Sequence, residues 1–374
     1  MGARRLLSVA SALLVGLAGL GACTSDETPP SPKPSSPSPT TPETSGSASA
    51  VQIVVARDGD LWLYTVQGDA FTRLTTDGAD SFEQQPRFRP GTNGTVSFFV
   101  NASDGKGGNI FDVDPTTKKA TRIVPAAPVR TLGWSPNGDA LAYVAGLDDT
   151  EGVWVYLFDP VSKASRRIKR LPACASCGRG IADLDERRVS WSPDGSKILI
   201  VDTTLDNDPG ISMFVFDRSG KDVVPARAGT QARWSADGGA IYYEQTDPLA
   251  KANLKALDVA TNKLSSLPVT GGVRFAVSPD AKFLAYDDGK VDSVFLLDLT
   301  SKAKRKLAAG ALGALWLDDD AIVVTEVRAC RADECGDAPP WMPTGSTLRV
   351  SLAGERTGLS LQSTIDADVR RTAS

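Results

Sequence analysis

The chain has 374 residues, 41 Lys+Arg against 45 Asp+Glu, five Cys and no histidine, for a formal charge of −4. Without an imidazole there is no Ser-His-Asp or Cys-His nucleophile, no histidine general base and no histidine-ligated zinc, so catalysis would fall to carboxylates, Lys, Tyr or a cofactor. The acidic balance also argues against a nucleic-acid partner, because such proteins gather Lys and Arg to displace counterions.

At the start, Arg4 and Arg5 precede an apolar run from Leu6 to Leu20 that ends in Leu20-Gly21-Ala22-Cys23. The run is too short to span a bilayer. It resembles a bacterial lipoprotein signal peptide with its lipobox, although Gly21 stands where Ala or Ser is usual. That resemblance implies a signal peptide over residues 1–22, lipidation of Cys23, and a mature protein on the outer face of the cytoplasmic membrane. Removing the signal leaves 39 basic and 45 acidic residues, so the body is not drawn to anionic lipid and membrane contact rests on the acyl chains alone.

The 27 residues from Thr24 to Ala50 are nearly all Ser, Thr and Pro, with no apolar residues to bury. Proline at this density favours polyproline II, so the segment reads as a tether with a reach of roughly 80 Å. Residues 23–50 are therefore the lipidated cysteine and its linker, and 51–374 the folded domain.

That domain repeats. A turn-bearing signature occurs at Phe88-Arg89-Pro90-Gly91, Trp134-Ser135-Pro136-Asn137-Gly138, Trp191-Ser192-Pro193-Asp194-Gly195, Trp234-Ser235-Ala236-Asp237-Gly238, Val277-Ser278-Pro279-Asp280 and, decayed, Trp316-Leu317-Asp318-Asp319-Asp320, at spacings of 46, 57, 43, 43 and 39. Pro fixes φ at the first corner, Asp or Asn tolerates the second, and Gly supplies the positive φ that closes a hairpin. Each turn is followed by a short apolar strand, a second strand ending in Asp114, Asp159, Asp217, Asp258 or Asp298, and a basic-tipped strand. Short strands at this period predict an all-β propeller of four-stranded blades.

These residues resemble the TolB-like family, whose WD-repeat-like units carry the same Trp-Ser-Pro-Asp-Gly turn before a strand ending in Asp. The resemblance covers about residues 51 to 374 and implies fold more than function. Three strands between Ile53 and Leu74 lack an inner strand, and Asp368-Val369-Arg370-Arg371-Thr372 echoes Val129-Arg130-Thr131-Leu132-Gly133. The chain end thus completes the first blade and makes seven. Six blades is the alternative, with the first three strands packed otherwise. The Ala-, Gly-, Asp- and Arg-rich style suggests an actinobacterial source.

If strands A to D run from the centre outward, the Pro-Asp-Gly turn joins A to B, and the B-to-C and D-to-A loops share the opposite face. Two insertions fall there. Leu171 to Glu186 holds Cys174 and Cys177; about Arg328 to Ser346 holds Cys330 and Cys335, then Pro339-Pro340-Trp341-Met342-Pro343. The cysteines could form a Cys₄ zinc site, a redox dithiol or two disulfides. An oxidising compartment and the separation of the two loops around the ring favour local disulfides Cys174–Cys177 and Cys330–Cys335.

Trp341 and its neighbour Met342 are the candidate binding residues, because a rigid exposed Trp is a common interface hot spot; folding back onto the last blade is the alternative. Trp62, Trp134, Trp154, Trp191, Trp234 and Trp316 read as blade packing. The recurring aspartates read as caps on backbone N–H groups in the next turn. Asp202, Asp206, Asn207 and Asp208, like Asp148, Asp149 and Glu151, lack calcium-loop spacing and read as solvated turns. No nucleophile elbow or phosphate-binding glycine loop is present.

Together these features predict a monomeric cell-surface lipoprotein whose propeller is a non-catalytic platform for another envelope protein, with no catalytic residue, metal or cofactor. Two alternatives stand beside it. One is a glycan hydrolase or lyase, which would need a non-repeating Asp or Glu pair inside the ring. The other is a small-ligand or metal sensor built on the inserted loops.

Overall fold

The computed structural model describes residues 50–76, 83–101, 108–126, 128–146, 152–172, 187–202, 213–245, 253–270, 274–287, 292–330, 341–361 and 367–371. They form seven antiparallel four-stranded sheets, the seven blades of a β-propeller. Blade 1 joins the two ends of the domain. Its inner strand, Asp368–Arg371, pairs antiparallel with Val51–Arg57, followed outward by Asp60–Thr65 and Ala70–Arg73. The inner strands of blades 2 to 7 are Glu83–Phe88, Val129–Trp134, Arg187–Trp191, Thr230–Trp234, Arg274–Val277 and Ala311–Trp316. The seven-blade count and the closure by the chain end both follow the repeat.

Each blade boundary holds its own hydrophobic cluster among the described residues. Val155, Ile198, Phe214 and Phe216 join blades 3 and 4, and Ile53, Tyr64, Val323 and Leu361 join blades 7 and 1. Five further clusters fill the other boundaries. Fully burying one such side chain stabilises by about 1.5–3 kcal/mol, whereas an exposed ion pair such as Lys169–Asp222 contributes about 1 kcal/mol at most. Apolar packing between blades, not surface charge, holds the ring.

The signature turns explain their own sequence. Ser192 donates its hydroxyl to Asp194 and accepts the Lys197 N–H at 2.9 Å, closing the turn between strands A and B of blade 4. Ser235 with Asp237 and Ser278 with Asp280 repeat the arrangement. Gly195 takes φ +67° there, and Ala281 adopts φ +56° in the equivalent turn of blade 6, where a side chain is tolerated at some cost. The aspartates that end the C strands cap the next turn as expected: Asp114, Asp159 and Asp298 each accept two backbone N–H groups.

The tryptophans divide into two groups. Trp134, Trp191, Trp234 and Trp316 are buried at blade boundaries. Trp134 donates to Ser97 Oγ, Trp191 to the Gly133 carbonyl and Trp316 to the Ala276 carbonyl, each acceptor belonging to the preceding blade. Trp62 and Trp154 lie on C strands and are half-buried; Arg73 covers the first ring and Arg167 the second. Trp62 also packs against the cluster that joins blades 7 and 1.

Candidate functional site

The expected binding residues stand on a strand, not in a loop. In blade 7, Ala321–Ala329 pairs with Trp341–Ser351, with Val327 opposite Pro343, Arg328 opposite Met342 and Ala329 opposite Trp341. The insertion between the two strands is therefore shorter than the stretch from Arg328 to Ser346. Prolines flanking Trp341 suggested a loop, but Pro343 fits at a ladder position with no third strand alongside among the described residues, where its missing N–H is not needed.

From Thr347 towards Trp341 the hairpin has neither an inner nor an outer strand beside it among the described residues, since strand A pairs no further than Glu326 and strand D spans only Arg356–Leu359. The two strands project as a ribbon from the face that carries the B-to-C connections. Thr344, Gly345 and Ser346 are exposed on it, and Met342 is half-buried. Cys330, directly after the first ribbon strand, ends that described stretch; Cys335 lies outside the described residues, as do Cys23, Cys174, Cys177, Asp148, Asp149, Glu151, Asp206, Asn207 and Asp208. Asp202 ends strand B of blade 4, opposite Arg187. No group of three or more metal-ligating side chains occurs among the described residues.

The inner strands reveal a second feature, a concentration of arginine. Arg87, Arg130, Arg188, Arg233 and Arg274 stand on the inner strands of blades 2 to 6, and Arg370 and Arg371 on that of blade 1. Several have local duties. Arg130 donates to the Gly146 carbonyl at 3.2 Å, and Arg370 lies against Gly94 in the first turn of blade 2.

Arg87, Arg188 and Arg233 form a set. All three are half-buried. Removal from water, then the positive charges of Arg188 and Arg87, pull the Arg233 guanidinium down to about 9. Blades 2, 4 and 5 can bring these charges together only across the middle of the ring. Arg233 donates to the Ala232 carbonyl and Arg87 to the Pro86 carbonyl, both at 2.8 Å, and no carboxylate pairs with either among the described residues.

One backbone device precedes both of these arginines. The ladder slips between Gln84 and Arg87 and between Thr230 and Arg233, with Gln85 at φ +46° and Gln231 at φ +53°. Such bulges bend a strand and re-aim the side chains that follow.

One strand further out, Glu244 of blade 5 and Asp287 of blade 6 are buried acids on adjacent blades. Burial raises the Glu244 carboxyl above its usual range, the Thr230 hydroxyl opposes this from 3.1 Å, and the Asp287 charge adds to the rise. Asp287 accepts the Gly313 N–H at 2.8 Å. These are non-repeating acids, but they stand on second strands and not on the inner strands where the glycan-enzyme alternative expects its pair. A separate cleft between blades 2 and 3 is lined by Ile123, Tyr143, Tyr156 and Lys163 among others; the stacked tyrosines there, 4.9 Å apart, lie on the second and third strands of blade 3.

No protein-family model matches the chain. A 94-residue stretch is 29% identical to the oligogalacturonate lyase of Dickeya dadantii (strain 3937), and the match covers 24% of each protein. The chain thus aligns with only about a quarter of that relative. Among solved structures, the oligogalacturonate lyase of Vibrio parahaemolyticus is similar at TM-score 0.52 and 12% identity, over 80% of this chain and 86% of that one. TolB from Acinetobacter baumannii gives TM-score 0.46 and 14% identity, over 68% and 62%. What the chain shares with oligogalacturonate lyase at such identity is the propeller fold.

Proposed function

We propose that this protein is a cell-envelope lipoprotein whose propeller holds a partner protein without catalysing a reaction. In this reading lipidated Cys23 anchors it to the outer face of the cytoplasmic membrane, and residues 24–50 hold the ring away from the bilayer. The observation that supports it most is the blade 7 ribbon, a hairpin whose edges are unpaired among the described residues and that carries Trp341 and Met342 beyond the blade. Open edges accept an added strand from a partner, and an aromatic or thioether side chain beside them supplies an apolar anchor. A Cys330–Cys335 disulfide would brace the ribbon's tip and Cys174–Cys177 the loop between blades 3 and 4.

A second reading, a carboxylate-dependent enzyme acting on an acidic glycan, draws on the Glu244–Asp287 pair and on the likeness to oligogalacturonate lyase. In-cell crosslinking followed by mass spectrometry separates the two. The platform reading expects enriched envelope proteins that are lost in Trp341→Ala and Met342→Asp variants. Turnover of oligogalacturonate by the purified protein, abolished by Glu244→Gln, would replace it with the enzyme reading.

A further inference from the structure

We infer that the middle of the ring is a binding site for a small polyanion, a ligand with two or more carboxylate or phosphate groups held by Arg87, Arg188 and Arg233. This site is separate from the blade 7 ribbon and does not depend on what the ribbon binds.

Three observations carry the inference. The first is convergence: inner strands of three blades, two of them not neighbours of the third, carry guanidinium charges that act on one another. Like charges brought together at half burial repel, and nothing in the packing of a propeller requires them.

The second is lack of neutralisation. Among the described residues, the guanidinium groups of Arg87 and Arg233 donate to the main-chain carbonyls beside them and pair with no carboxylate. Asp368, an acid on an inner strand, is tied to the Phe88 N–H at 2.8 Å. The acids Glu244 and Asp287 belong to the second strands, not to the inner ones.

The third is strain. Gln85 and Gln231 hold left-handed backbone two residues before Arg87 and Arg233, a conformation that costs a non-glycine residue of this kind about 1–2 kcal/mol. Blade 7 makes a comparable bulge with glycine, at Gly313, and places Leu315 at the position that arginine occupies in blades 2 and 5. The arginine is therefore not a requirement of the bulge.

Guanidinium is matched in shape to carboxylate and phosphate, which it binds through paired N–H donors. Several such groups around one centre fit a ligand with several anionic groups better than a single-charge ion. An anion seated there would also relieve the repulsion, so binding and stability are coupled.

The test is thermal unfolding and titration calorimetry of the full chain purified in detergent, with citrate and pyrophosphate as probes, and sodium chloride at matched ionic strength and acetate as controls. Citrate or pyrophosphate is expected to raise Tm by about 3 °C near saturation, well above either control; the tighter of the two identifies carboxylate or phosphate as the preferred group. Arg233→Gln and Arg188→Gln are expected to weaken binding at least tenfold. Arg233→Gln is also expected to leave the unliganded Tm equal to or above that of the wild type, because it removes a repelled charge. Equal Tm shifts in sodium chloride, unchanged affinity in both variants, or a lower unliganded Tm for Arg233→Gln would each overturn the proposal.

Discussion

The Trp191 indole N–H meets the Gly133 carbonyl at 2.9 Å, joining the inner strands of blades 3 and 4 through a side chain and a backbone with no room between them. A Cβ placed on Gly133 would come within 2.9 Å of the Val189 carbonyl oxygen and 3.3 Å of Val189 Cγ1. Gly133→Ala must therefore push two blades apart. Urea unfolding should show a loss of about 1–3 kcal/mol; a midpoint equal to the wild type would mean the boundary yields freely.

Ser192 is buried and serves both strands of its turn. Ser192→Ala leaves the Lys197 N–H without its acceptor and removes a donor from Asp194. The expected cost is about 1–2 kcal/mol in chemical denaturation. A cost near zero would show that water replaces the hydroxyl.

The turn aspartates and Glu244 respond to pH in opposite senses. Hydrogen bonds to neighbouring side chains and backbone N–H groups hold the aspartates below their usual range, with Asp139 and Asp280 at about 2. A carboxyl with a lower pKa folded than unfolded adds stability that is complete above its unfolded value and is lost as pH falls through its folded one. The urea midpoint should therefore drop as pH falls from about 4 towards 2.

Glu244 is shifted the other way, so ionising it as pH rises from its unfolded to its folded pKa subtracts stability. Glu244→Gln, which can keep the Thr230 contact, should match the wild type at pH 3 and exceed it at pH 7. Lower stability of the variant at pH 7 would show that the charge is wanted.

Blade 1 borrows its inner strand from the end of the chain, and Asp368 there accepts the Phe88 N–H of blade 2. Removing residues 368–374 exposes the inner edge of Val51–Arg57 and opens the ring. Near-ultraviolet circular dichroism and urea titration should show loss of cooperative unfolding. A cooperative transition with the wild-type midpoint would mean that three strands suffice for this blade.

How much of this was legible in the sequence depended on whether a feature repeats. The signature turn and the aspartates ending each C strand recur at near-constant spacing, so recurrence led to the capping role and, with the echo of residues 129–133 at 368–372, to seven blades. Ser135, Ser192, Ser235 and Ser278 recur just as regularly, and that regularity was the available sign of their place in the turn. The central arginines carried no such sign. Arg87 and Arg233 come one residue before the Phe or Trp of the signature, Arg188 three before and Arg130 four before, so no linear motif contains them and they meet only when the ring closes. Trp341 was misplaced for a different reason: Pro340 and Pro343 are loop residues by composition, and Pro343 pairs within a ribbon where no neighbouring strand lies among the described residues.

The central claim is that one face of the ring holds an envelope protein. Its most direct test is photo-crosslinking in cells from two single positions, Met342 on the blade 7 ribbon and Val161, which is 91% exposed in a C-to-D turn on the opposite face. A discrete adduct from position 342, absent from position 161, is the predicted result. Adducts from 161 alone, or the same adducts from both, would contradict it.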